Sequence, residues 1–113
     1  DRLGGGSCVD RRGAVSRDLE FRPEAGRELE QAYRWYEDNR AGLGEQLMLT
    51  VEAALGRIQR LPKSHPIVHR NMRRALLERF PYGIVYLVQP ERIVVLAVYH
   101  VRRDPDEWKN RDE

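Results

Sequence analysis

The chain has a single cysteine, Cys8, in 113 residues. That excludes an internal disulfide framework and any cysteine-based metal site. Lysine is almost missing, occurring only at 63 and 109, so nearly all of the positive charge is arginine. Arginine suits bidentate pairing with carboxylate or phosphate, and it also follows from a GC-rich genome. A net charge of one sign is missing too. Twenty Lys+Arg face eighteen Asp+Glu, a formal +2, so charge alone does not select a nucleic-acid partner. No apolar run exceeds strand length, so no membrane span is expected. The start shows no charged-then-apolar order, which argues against a signal peptide and for the cytoplasm. It is also not Met, so the opening residues read as processed, vector-derived or mis-started. There is no G-x-G-x-x-G, no P-loop and no C-x-x-C, and no Ser/His/Asp set at a meaningful spacing. No cofactor is implied.

A hydrophobic fraction of 41% is ordinary for a globular protein, so a core is expected and disorder is not. The length suits one domain. Residues 1–16 hold Gly4-Gly5-Gly6-Ser7 and little apolar surface, and read as a flexible tail before a single domain over 17–113. From Arg17 the pattern changes. Leu19 and Phe21 alternate with Asp18, Glu20 and Arg22, the mark of a strand with one face buried. Pro23-Glu24 opens a helix, where the missing N–H of Pro matters least and Glu suits the positive end of the dipole. Ala25, Leu29, Ala32, Tyr33 and Tyr36 share one face of it. Asn39 to Gly44 makes the turn. A second helix runs from about Leu43 to Leu61 on the stripe Leu43, Leu47, Val51, Ala54, Leu55, Ile58 and Leu61, and Pro62 stops it. The short link makes the pair an antiparallel hairpin.

Residues 62–71 read as a loop, and Met72 to Phe80 as a strand rich in arginine. Two β-branched runs follow, Ile84 to Val88 and Ile93 to Tyr99, around Gln89-Pro90-Glu91-Arg92. Both are apolar at nearly every position and belong at the centre of a sheet. The expected architecture is α+β, in the order β-α-α-β-β-β: a two-helix hairpin packed on a mostly antiparallel four-stranded sheet. Tyr86 is expected to be buried in it. Beyond Tyr99 the chain is polar and arginine-rich, with Trp108 as an anchor.

Three histidines are present. His65 and His69 bracket a proline loop, but the acidic residues that would complete a metal site are absent, so no metal is expected. His100 ends a strand beside Arg102 and Arg103. It titrates near neutral pH, as a general acid or base on a phosphodiester must, or it is a strand-end histidine bonded to backbone. Arg73, Arg74, Arg79, Arg102 and Arg103 fall near the ends of neighbouring strands. One basic patch there would stabilise a phosphate, hold an acidic partner segment or touch a protein target; a charged strand edge is the simpler reading. Tyr33, Trp35 and Tyr36 form an aromatic cluster. Trp35 points about 100° away from Tyr36. It is either an interface residue or one shielded by the N-terminal strand or the tail.

Phe80-Pro81-Tyr82, then Ile84-Val85-Tyr86, a second apolar strand, His100, Arg102-Arg103-Asp104-Pro105 and Trp108 resemble the ParE branch of the RelE/ParE toxin superfamily. The resemblance covers about residues 18–111. It implies the toxin of a type II toxin–antitoxin, or plasmid-stabilisation, pair. Such a toxin inhibits DNA gyrase and is neutralised by a cognate antitoxin in a hetero-oligomer. On this reading Arg74, Arg79, Arg102 and Arg103 are target-binding candidates, and Tyr33, Trp35 and Tyr36 antitoxin-binding candidates. The alternative is a RelE-like ribosome-dependent mRNA endoribonuclease, with ribosome and mRNA as partners. His100, Arg103 and Arg79 are then the catalytic candidates, with Arg74 and Tyr82 in support. Those nucleases carry an arginine right after the tyrosine that starts the strand, a second just past the next strand, and a tyrosine some six residues on. This chain has Gly83, Arg103 and Lys109 there. One of three positions is kept, which favours a toxin that is not an enzyme.

Overall fold

The computed structural model describes residues 8–9, 15–16, 18–104 and 106–111. Cys8–Val9 (β1) and Val15–Ser16 (β2) pair antiparallel. The rest of the expected tail lies outside the described residues. The domain then runs through Asp18–Phe21 (β3), Pro23–Asn39 (α1), Leu43–Arg60 (α2), Ile67–His69 (β4), Met72–Leu76 (β5), Tyr82–Val88 (β6) and Arg92–His100 (β7). The strand order is β3-β7-β6-β5-β4, with β3 parallel to β7 and every other pair antiparallel.

The sheet has five strands, where the sequence suggested four. The extra one, β4, lies within the stretch 62–71 read as a loop. Its three residues are too few to show a period of two, and Pro66 precedes them. The turn into β5 needs Arg70 at φ 53°, in the left-handed region, a conformation that an arginine does not advertise. The β5 strand also ends at Leu76, not Phe80. There the chain folds back, with the Leu77 N–H donating to the Tyr82 carbonyl and Arg79 at φ 74°. Leu61, placed in the apolar stripe of α2, is exposed because the helix ends at Arg60 and the chain turns away.

Both helices pack on one face of the sheet. Leu47, Val51, Ala54, Leu55 and Ile58 of α2 and Ala25, Leu29 and Ala32 of α1 meet Ile84, Tyr86, Ile93, Val95 and Val98. The opposite face carries Met72, Val85, Val94, Leu96, Ala97 and Tyr99, with Val68 and Leu87 of the same sheet and Val101 packed beside them and Trp108 against them. Trp108 is thus the anchor expected of it, 3% exposed. Tyr86 is fully buried. Its hydroxyl donates to the Pro62 carbonyl at 2.7 Å and lies 3.1 Å from His65 Nδ1. One hydroxyl proton serves one acceptor, so His65 donates to Tyr86 through Nδ1–H.

Two local devices set the geometry near the site. The first joins the helices. The Glu37 carboxylate accepts the N–H groups of Gly42 and Gly44, both at 3.0 Å, and so satisfies free donors at the positive end of α2. A Cβ on Gly44 would stand 2.9 Å from the Tyr33 ring, so the close approach of the helices requires glycine. The second is a bulge in β7. Val85 opposes Ala97 while Tyr86 opposes Val95, leaving Leu96 as the additional residue. Before the bulge Ile93 and Val95 face the helices; after it Val98 and His100 do.

Candidate functional site

The bulge aims His100 at a polar pocket of about 330 Å³ where α1 crosses the ends of β6 and β7. Glu28, Gln31 and Trp35 come from α1, Tyr82 from β6, His100 from β7, and Arg103 and Asp104 from the turn beyond. Tyr82 and His100 are cross-strand partners with ring centroids 5.2 Å apart. Arg103 Nη2 donates to the Tyr82 hydroxyl at 3.0 Å. His100 Nδ1 accepts the backbone N–H groups of Arg102 and Arg103, at 3.2 and 3.1 Å. That use of the Nδ1 lone pair fixes the ring proton on Nε2. Burial and then the Arg103 charge lower the His100 pKa, so the ring is held neutral. The Tyr82 phenol is pushed up by burial, with Arg103 pulling the other way.

The floor is held by an ion pair distant in sequence. Arg111 donates through both terminal nitrogens to the Glu28 carboxylate, at 3.0 and 3.1 Å, and Glu28 Oε1 also accepts the Val98 N–H at 3.1 Å. The pair ties the C-terminal segment to α1 and β7. Neither Glu28 nor Arg111 stood out in the sequence, because residues so far apart give no local signal.

An aromatic ridge closes one side. Trp35 stands edge-on to Tyr36 with centroids 4.9 Å apart, and Tyr36 lies against Phe80 at 5.0 Å and Tyr82 at 6.2 Å. The Tyr36 pKa is raised, by burial first. Trp35 is 53% exposed, so the open alternative about its shielding resolves towards solvent. The sequence cluster is divided. Tyr33 lies on the other side of α1, in a groove facing α2, away from the pocket.

The five arginines do not share one patch. Arg73 and Arg74 are neighbours on β5 and point to opposite faces. Arg73 is tied to the carbonyls of Lys63 and His65, at 3.1 and 2.7 Å, on the helix side. Arg74 donates to the Tyr99 hydroxyl at 3.2 Å on the other face. Arg79 is exposed on its turn beside α2, in a hollow with Leu49, Thr50, Ala53, Arg57 and Glu78. Of the five only Arg103 lines the pocket, and both it and Arg102 beside it are exposed. Gly83 belongs to the face of Arg74 and Tyr99, where an added Cβ would meet the Tyr99 ring at 3.0 Å. A side chain at 83 would therefore point away from Tyr82, His100 and Arg103. Lys109 pairs with Asp106 at 2.8 Å. Pro105 of the sequence motif lies outside the described residues. His65 meets Tyr86 on the helix side and His69 meets Trp108 on the other, so the two do not share a site. Among the described residues no three His, Cys, Asp or Glu side chains converge as metal ligands, and no helix is long and apolar enough to cross a membrane.

A helical hairpin on one face of a five-stranded mixed sheet, with a polar pocket at the ends of its two central strands, defines a small α+β protein class. The chain belongs to the family of the ParE toxin of the type II toxin–antitoxin system, parDE, which it matches over residues 19–105. Among solved structures, a chain of the chromosomal ParDE TA system from P. aeruginosa superposes with a TM-score of 0.57. It is 19% identical, with 75% of this chain and 96% of that chain covered, a likeness of fold. No curated protein matches the chain by sequence.

Proposed function

We propose that this protein is a non-enzymatic toxin that inhibits DNA gyrase in the cytoplasm and is neutralised by a cognate antitoxin. The observation that carries the choice against RNA cleavage is the state of His100. Cleavage needs a group to take the 2′-hydroxyl proton and another to protonate the leaving oxygen. With Nδ1 accepting two backbone N–H groups and the proton on Nε2, His100 offers no lone pair to a substrate and is not an imidazolium near pH 7. The Tyr82 phenol stays protonated, and Arg103 is engaged with it. Glycine at 83 faces the wrong side of the sheet to be replaced functionally by a pocket residue.

Family membership supports an antitoxin partner, and the solved chain of similar fold comes from a ParDE TA system. The exposed Trp35 beside Tyr36 is the natural contact for it, since large exposed aromatics anchor interfaces. Trp35→Ala is expected to weaken the toxin–antitoxin complex by about 2 kcal/mol. Unchanged affinity removes Trp35 from the interface.

The function is tested with purified toxin in two assays. Inhibition of gyrase supercoiling, with no mRNA cleavage on programmed ribosomes, is the expected result. Cleavage in the ribosomal A site that is lost in His100→Ala would overturn the proposal and place the chain among the nucleases.

A further inference from the structure

The pocket at the ends of β6 and β7 has donors left over once its own bonds are made. His100 gives Nδ1 to the turn, so the ring nitrogen it can present to the pocket is Nε2, which carries the proton. The Tyr82 hydroxyl accepts from Arg103 and keeps its own proton to donate. Arg103 has several N–H groups, and its bond to that neutral phenol engages a single one of them. No carboxylate of the described residues pairs with the Arg103 charge, although Asp104 follows it in sequence. The donors stand side by side: Arg103 Nη2 is 3.0 Å from the Tyr82 oxygen, and the Tyr82 and His100 rings are 5.2 Å apart.

The acids of the pocket set the charge of what can enter. Glu28 is occupied by both terminal nitrogens of Arg111 and by the Val98 N–H. Asp104 lines the pocket with no ion pair among the described residues. One open cation beside one open carboxylate opposes the dense charge of a nucleic-acid backbone. A cationic visitor would meet Arg103 and a wall of donors. A single carboxylate fits: one oxygen accepts from Arg103, and the other from the His100 Nε2–H or the Tyr82 O–H. A volume of about 330 Å³ holds one such side chain.

Trp35 lines the same pocket and is 53% exposed. A segment packed on its ring passes the mouth of the pocket. We infer that this pocket binds one Asp or Glu side chain of the antitoxin, carried by the segment that packs on Trp35. Both contacts then belong to one partner, so this site stands on the antitoxin reading proposed above.

The test measures the affinity of the cognate antitoxin, each of its acidic residues changed in turn to the amide, for the wild-type toxin and for Arg103→Met. One amide change is expected to weaken the complex by about tenfold or more. Arg103→Met is expected to weaken it as much, and the two changes together little more than either, whereas a damaged fold gives losses that add. Arg103→Lys keeps the charge and is expected to recover part of the affinity. Asp104→Asn removes a like charge that has no ion pair to lose, and is expected to hold or tighten the complex. If the wild-type complex forms and no acid couples to Arg103, or if Asp104→Asn weakens it, this site is overturned and the antitoxin reading stands. If the wild-type toxin forms no complex with the antitoxin, both fall.

Discussion

Tyr86 gives the sharpest test of how the sheet is held. The side chain is fully buried among the helix-side core residues, and its hydroxyl reaches both Pro62 and His65. Two contributions can be separated. Tyr86→Phe keeps the ring and removes the hydroxyl, leaving the Pro62 carbonyl and the His65 N–H without it. Losing a buried hydrogen-bond partner costs about 1–3 kcal/mol. Part of that returns if the loop 62–65 opens to water, so the lower half of the range is expected. Tyr86→Ala also empties a ring-sized space between sheet and helices, which costs about 3–5 kcal/mol in total. Urea unfolding of the three proteins measures both, provided that the slopes agree and only the midpoints move. The hydroxyl also fixes an alkaline signature. Burial pushes the Tyr86 pKa up to about 12. A raised pKa contributes stability that is complete below the ordinary value of 10 and is lost as the pH climbs towards 12. Tyr86→Phe should flatten that loss. If Tyr86→Ala costs no more than Tyr86→Phe, the ring is not packed as described and the register of β6 is wrong, because a one-residue slip exchanges the two faces.

Gly44→Ala forces a methyl to 2.9 Å from both the Tyr33 ring and Glu37, and is expected to lower stability by about 1–3 kcal/mol in thermal melts; an unchanged melting temperature would mean that the helices separate freely there. Acid stability should reflect the histidines: burial, then the Arg57 and Arg73 charges, depress His65, and burial with Arg103 depresses His100. The unfolded chain therefore takes up protons first, so stability is complete above pH 6.5 and falls as the pH drops below it. His65→Gln should reduce that slope; a slope that is unaltered would assign the loss to the carboxylates. Arg79→Gly relieves a left-handed residue, which costs a non-glycine about 1 kcal/mol, while removing an exposed charge. Lost toxicity at equal or higher stability in that variant would identify Arg79 as a target contact, and full toxicity would exclude it.

What the sequence revealed and what it hid follow from the range of each signal. The helices were legible because Leu47, Val51, Ala54, Leu55 and Ile58 repeat with the helical period, and Pro23 and Pro62 bound the pair. The central hairpin was legible from its β-branched runs. The Leu96 bulge was not, because β7 is apolar on both faces and a shift in parity changes nothing visible. Yet that bulge decides that His100 joins Tyr82 and Tyr99 joins Trp108. The arginines misled for the same reason. Adjacent residues on a strand face opposite ways, so Arg73 and Arg74 could not serve one patch, whatever their spacing suggested. Glu28 and Arg111 were silent because nothing local marks a pair closed by tertiary folding.

The pocket can be understood through which of its groups the fold already uses. His100 organises the turn after β7: its ring nitrogen accepts two N–H groups of that turn, and its carbonyl accepts the Asp104 N–H at 3.0 Å. Arg103 reaches back to Tyr82, and Arg111 locks Glu28 beneath. These bonds are satisfied within one chain, and a reaction would have to break them before it could begin. Trp35 differs, being 53% exposed at the rim, and Arg102 is exposed on the turn after β7. The hydrogen-bonded groups hold the shape of the rim, Arg103 among them although it is exposed, and Trp35 gives it something to recognise with. That division of labour suits a protein that acts by binding, where the shape must persist and the recognising groups must be free to meet a partner.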